Sequence, residues 1–145
     1  MYDWLRKDLD GNLRQINIDR GIANLSFNRK GNKVIKELIS KPVIIDRGDD
    51  WILEHLPTHE THFYDVHRYK FKSSISIKTN NKCHVLSLVE GTSILLETIS
   101  GHKTRFNYVE TFVIPAATRE YRIINESGSE SILIIAFIKN NTKKQ

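Results

Sequence analysis

The sequence lacks most of the residues that would narrow its chemistry at once. A single cysteine, Cys83, stands among 145 residues. That excludes an internal disulfide and suits a reducing cytoplasm. Cys83 also opens an apolar stretch, where packing is a better account of it than nucleophilic chemistry. No apolar run approaches the roughly 20 residues that a membrane helix needs. The opening Met-Tyr-Asp-Trp-Leu-Arg-Lys-Asp has no apolar core of a secretory signal. No membrane partner is therefore expected. The net charge is +5, yet the basic residues are scattered as Arg6-Lys7, Arg29-Lys30, Lys70, Lys72 and Lys143-Lys144. No basic stripe with interleaved aromatics forms, so a solvated surface is expected and a nucleic-acid partner is not. Repeats, linkers and low-complexity segments are missing too, apart from a polar tail.

What is present reads as strands. Hydrophobic residues make up 39% of the chain and charged residues 27%, the balance of one globular domain. Asp8-Leu-Asp-Gly11 is a turn signal. Ile16, Ile18, Ile22 and Leu25 partly follow one helix face, with Asp19 as N-cap, so one short helix is expected there. From Lys33 onward the pattern becomes short strands: Val34 to Ile39, Pro42 to Ile45, Trp51 to Leu56 (ended by Pro57), Phe63 to Phe71 and Ser74 to Thr79. Val85 to Val89 follows, closed by Glu90-Gly91, then Ser93 to Thr98 and Phe112 to Ile114, stopped by Pro115. Tyr121 to Asn125 and the continuous apolar run Ser131 to Ile138 complete the set. About ten short strands at regular spacing predict an all-β jelly-roll barrel with one short N-terminal helix. The expected organisation is an arm with the helix at 1–30, a barrel at 31–139 and a polar tail at 140–145.

Four histidines, His55, His59, His62 and His67, fall within thirteen residues and raise a metal site as one possibility. Barrel ligands usually come from alternate positions of one strand, with a carboxylate and a histidine from others. No His-x-His pair occurs in the chain. His59-x-x-His62 is a weak chelating pair at a loop, and ordinary polar histidines are the simpler reading. No metal site is expected.

Residues 83–125 resemble the cupin family, a double-stranded β-helix barrel. Its first motif implies a His-x-His pair, then a glutamate and a glycine. Counting back from Gly91 puts His84 in the glutamate's place and Ile77 and Thr79, or Lys78 and Asn80, in place of the pair. The second motif implies a proline and an asparagine, matched by Pro115 and Asn125 with a one-residue insertion. Val109 and Ala117 replace its glycines, and Tyr121 takes its histidine's place. Without the insertion that place falls on Glu120. The resemblance thus implies the scaffold without its metal ligands.

A narrower resemblance covers nearly the whole chain. Tyr2-Asp3-Trp4, Gly11-Asn-Leu-Arg14 and Ile16-Asn-Ile-Asp-Arg20 are similar to the segment that leads out of the catalytic domain in class I mannose-6-phosphate isomerases. His62-Phe-Tyr-Asp-Val-His-Arg68 and Glu110-Thr-Phe-Val-Ile-Pro-Ala-Ala117 are similar to strands of their C-terminal cupin-like barrel. In that family zinc and a base interconvert mannose 6-phosphate and fructose 6-phosphate. The resemblance implies that the zinc ligands lie in the upstream domain and that the substrate-facing arginine lies just before the Tyr-Asp pair. No catalytic residue and no cofactor of its own are then expected in this chain, which should be inactive alone.

Three roles follow from these readings. The first is a structural or cleft-walling barrel packed on an upstream catalytic cupin domain. The second is a stand-alone metal-free cupin that binds a sugar or sugar phosphate without turnover. The third is a metal-dependent enzyme using His59, His62 or His67 with Asp65. For ligand contact the candidates are Asp65 and His67, on one strand face with Tyr69 and Phe71, and Arg68 on the other face, where a guanidinium can grip a phosphate. Trp4, Leu5, Ile16 and Ile18 are candidates for an apolar surface that meets the catalytic domain or a second copy.

Overall fold

The computed structural model describes residues 6–140. They divide into a first unit ending at Ile39 and a second beginning at Ser40. In the first unit the Asp8 turn forms as expected. Asp8 Oδ1 accepts the amides of Asp10 and Asn12 at 3.0 and 2.9 Å, and Lys7 bridges Leu13. Helix α1, Ile18–Ala23, is capped at Asn17 rather than Asp19, which lies in its first turn.

A second helix, α2 (Asn32–Glu37), replaces the strand expected over Val34 to Ile39. The β-branched pair Val34-Ile35 had favoured a strand. Local helical contacts prevail: Leu38 N–H donates to the Val34 carbonyl at 2.9 Å, and Glu37 lies near Arg29 and, one turn back, Lys33. Neither helix contains a buried residue.

The second unit holds ten strands among the described residues: β1 Val43–Arg47, β2 Trp51–Leu56, β3 Tyr64–Phe71, β4 Ser74–Lys78, β5 His84–Glu90, β6 Ser93–Thr98, β7 Lys103–Asn107, β8 Thr111–Ile114, β9 Glu120–Asn125 and β10 Ser131–Ile138. They form a six-stranded sheet, β1-β2-β3-β10-β5-β8, and a four-stranded sheet, β4-β9-β6-β7, antiparallel throughout. Period-two alternation sends one face of each sheet inward. Phe71, Leu86, Leu88, Leu133 and Ile135 from the larger sheet meet Ile75, Ile77, Ile94, Leu96, Tyr121 and Ile123 from the smaller. Burying each such side chain contributes roughly 1.5–3 kcal/mol. This is an all-β jelly roll of two antiparallel sheets.

Strand β10 runs between β3 and β5. Its inward Ser131, Leu133 and Ile135 are buried and its outward Ile132, Ile134 and Ala136 half-buried, which explains its unbroken apolar run. Strand β7 is an edge strand absent from the sequence expectation. Lys-Thr-Arg-Phe-Asn carries one apolar residue, Phe106, which stacks on Phe112 at 3.7 Å.

Two motif residues hold the end of the barrel remote from β2's His55. Gly91 has φ +108°, and a Cβ there would overlap Ser131 Oγ and come within 2.8 Å of Ser127 Oγ. Asn125 accepts from the Ser127 amide and Ser131 Oγ at 2.7 and 2.8 Å, and its amide group donates to the carbonyls of Lys72 and Ser129. The asparagine therefore ties the β9–β10 turn to the end of β3.

Candidate functional site

At the other end the inward faces become polar and the two sheets part around a cleft of about 410 Å³. Strand β3 brings Asp65, His67 and Tyr69 to one wall, because residues two apart share a strand face. Leu53, Ile77, Ile135 and Phe137 form the apolar lining, and Thr79, Lys82 and His84 lie on the side of the turn between β4 and β5. That turn is tight: Asn80 and Asn81 have φ of +49° and +59°, and Lys82 N–H donates to the Thr79 carbonyl at 2.9 Å. Asparagine tolerates this left-handed pair better than other non-glycine residues.

The structure brings Asp65 and His67 together in the cleft and separates them from Arg68. Asp65 Oδ1 lies 2.8 Å from His55 Nε2 and accepts the Val66 amide at 3.0 Å. The His67 ring stands edge-on to Phe137 at 4.7 Å and to His55 at 5.6 Å. Burial pushes the His67 pKa down. The neighbouring His55, His84 and Lys82 add to this and Asp65 opposes it. Arg68 points to the opposite face of the sheet, where its Nε donates to Glu54 Oε2 at 2.6 Å. It is an ion-paired residue of that outer face and does not line the cleft.

His84, which sequence patterning left without a role, is buried at the cleft wall. Its Nδ1 is 2.8 Å from Tyr121 Oη. Burial pushes the His84 pKa down, against a hydrogen bond from its ring to the Thr79 backbone carbonyl. Burial pushes the Tyr121 phenol well up, so it stays protonated, and Tyr69 rises to about 12 for the same reason. Lys82 reaches over the Phe137 ring, with its Nζ 4.9 Å from the centroid. A turn lysine carries no signal in sequence that it folds back over a strand residue more than fifty positions away.

The residues present do not fit a cupin metal. Ile77 is a core side chain, Thr79 Oγ1 donates to the Ala116 carbonyl at 3.0 Å, and His84 and Tyr121 engage each other. Glu120 lines a separate shallow pocket with Ser76 and Arg122. Among the described residues no group of three or more His, Cys, Asp and Glu side chains is arranged to hold a metal ion. His59 and His62 sit in the exposed loop before β3. Their rings are 5.7 Å apart, with His59 Nδ1 2.8 Å from Thr61 Oγ1 and His62 stacked on Tyr64.

No protein-family model matches the sequence, and no curated protein matches it. Solved structures do. The mannose 6-phosphate isomerase from Bacillus subtilis superposes with a TM-score of 0.66 at 16% identity, over 94% of this chain and 39% of that one. The polyketide cyclase RemF from Streptomyces resistomycificus gives 0.53 at 14% identity, over 68% and 73%. An RmlC-like cupin from Shewanella frigidimarina gives 0.53 at 16%, over 70% and 87%. The chain thus spans about two fifths of the Bacillus enzyme. These likenesses establish the cupin fold. No helix among the described residues is long and apolar enough to cross a membrane.

Proposed function

We propose that this chain is a non-catalytic cupin barrel of a mannose-6-phosphate isomerase-like protein, serving to pack against a catalytic cupin domain and wall its sugar-phosphate cleft. The observation that carries this reading is the extent of the likeness. The Bacillus isomerase matches 94% of the chain, and so takes in the arm as well as the barrel, whereas the cyclase and the RmlC-like cupin match 68% and 70%. The arm itself adds support. Ile18, Ile22, Leu25, Phe27, Ile35, Leu38 and Ile39 are all exposed, and six-residue helices gain little stability from their own hydrogen bonds. Such a surface is suited to a second domain. Ile16 and Ile18 belong to it, while Trp4 and Leu5 lie outside the described residues.

On this reading the chain supplies neither the zinc nor the base of the isomerisation. A coupled assay of the purified chain with mannose 6-phosphate should show no turnover, and the reading frame upstream of Met1 should encode a zinc-binding cupin. Turnover by the isolated chain would overturn the proposal.

A second reading, a metal-free cupin that binds a ligand without turnover, is favoured by one observation: Asp65 and His67 share a formed cleft with a lysine. A cleft of this volume, lined by both apolar and convergent polar side chains, has the make-up of a small-molecule site.

A further inference from the structure

The cleft contains polar groups that the fold does not use. His84 and Tyr121 satisfy each other, His55 is held by Asp65, and Thr79 is bound to the Ala116 carbonyl. By contrast, neither ring nitrogen of His67 has a hydrogen-bond partner among the described residues. Nor is it sealed away, since no buried side-chain nitrogen or oxygen among those residues is left unpaired. The imidazole is clamped between Phe137 and His55 on a central strand, with its polar atoms open to the cleft.

Lys82 is the second such group. Other cations of the barrel have partners: Arg68 and Lys70 share Glu54, Lys103 meets Glu97 and Arg105 meets Glu126, while Arg122 donates to Ser74 Oγ and Lys139 to the His59 carbonyl. Lys82 has no carboxylate partner among the described residues and lies half-buried against Phe137. Its charge is felt by both His67 and His84. An ammonium and an unpartnered imidazole thus converge on one concave space. The lining also holds Tyr69, the exposed Lys78 and one carboxylate, Asp65, whose Oδ1 is already held by His55 and the Val66 amide.

We propose that this cleft binds a small hydroxylated oxyanion, with Lys82 and His67 gripping the acidic group and Asp65 accepting from a hydroxyl. Carboxylates and phosphate esters share this chemistry. The apolar lining of Leu53, Ile77, Ile135 and Phe137 limits the ligand to a compact body and strengthens the charge contact by excluding water. The inference deepens the second reading above and rests on it. It is independent of whether a catalytic domain stands beside the barrel.

The groups facing His67 are His55 from β2, Asp65 from β3, His84 from β5 and Lys82 from the turn. An oxyanion docked beside it favours the imidazolium, so binding should raise the His67 pKa. The test follows the imidazole NMR signals of the whole chain, assigned with His67→Gln, during titration with glycerol 3-phosphate, lactate and uncharged glycerol. Saturable shifts of the His67 signal with either anion, a raised His67 pKa and unmoved signals from exposed His59 and His102 are expected. The relative affinities of the two anions decide between phosphate ester and carboxylate. Lys82→Met should weaken anion binding by about tenfold or more while leaving the melting temperature in place, because methionine keeps the apolar stem's packing on Phe137. No saturable shift with either anion would overturn both the proposal and the second reading for this ligand class. Glycerol binding that Lys82→Met leaves unchanged would keep a binding cleft but overturn the oxyanion.

Discussion

The Nδ1 atom of His84 lies 2.8 Å from the hydroxyl of Tyr121, joining β5 of the larger sheet to β9 of the smaller across the barrel. Both side chains are buried. Burial raises the phenol's pKa and lowers the imidazole's, so a protonated phenol donates to a neutral ring. Counted from Gly91, and from Pro115 with a one-residue insertion, these two residues take the places that the cupin motifs give to a glutamate and a histidine, and here they form a cross-sheet hydrogen bond.

Tyr121→Phe removes the donor and leaves the buried Nδ1 unsatisfied. Equilibrium unfolding in denaturant should show a loss of about 1–2 kcal/mol, with the m-value unchanged. A neutral result would mean that the two side chains do not depend on each other in solution.

His67 and His84 together predict an acid-sensitive barrel. Both have pKa values below the ordinary 6.5 in the folded chain. The unfolded chain therefore takes up protons first as the pH falls. Their contribution to stability is complete above 6.5 and is lost as the pH drops through that value toward the folded pKa values. The melting temperature should fall between about pH 7.5 and about pH 5.5, and His67→Gln should flatten the fall. A profile that is level over this range, or as steep in the variant, would refute it.

Glu54 is the anchor of the outer face of the larger sheet. It is buried, accepts from Arg68 at 2.6 Å and lies 3.3 Å from Lys70, and the Arg68 hydrogen bond chiefly holds its carboxyl below the usual range. Glu54→Gln should cost about 1–2 kcal/mol, less than a fully buried pair, because both cations still reach water. Arg68→Gln should cost no more than that, and should leave the cleft's ligand affinity unaltered. Weakened anion binding in Arg68→Gln would mean that the face assignment of β3 is wrong.

Most of the barrel was legible because alternation is a local signal. Ile75 and Ile77, Ile94 and Leu96, and Tyr121 and Ile123 mark their inward faces without reference to anything distant. The same parity put Asp65 and His67 on one face of β3 and Arg68 on the other. What stayed hidden depends on contacts far apart in sequence. Lys82 gains its place through Phe137, and His84 its role through Tyr121. Strand β7 escaped because an edge strand with one inward aromatic has almost no period-two signature. Helix α2 escaped because two β-branched residues outweighed a short charged helix in a reading by propensity.

Val109 stands where the second cupin motif has a glycine, and its φ is +71°. The conformation is fixed by its surroundings: its amide donates to the Leu88 carbonyl at 2.9 Å, while the Glu110 amide donates to the Asn107 carbonyl at 3.1 Å, closing the turn between β7 and β8. A β-branched side chain at positive φ crowds its own carbonyl, at a cost of about 1–2 kcal/mol. The side chain recovers little of this, because Val109 is 65% exposed. Glycine relieves the crowding but enlarges the conformational freedom lost on folding, which offsets about 0.5–1 kcal/mol. Val109→Gly should therefore stabilise the barrel by a few tenths to about 1 kcal/mol, read as a higher midpoint in denaturant. Val109→Ala serves as the control, since it removes the branching but keeps the Cβ, and should recover only part of the gain. If both variants are less stable than the parent, the valine packs in solution against something that offsets its strain, and the exposed face of this turn becomes a candidate contact surface.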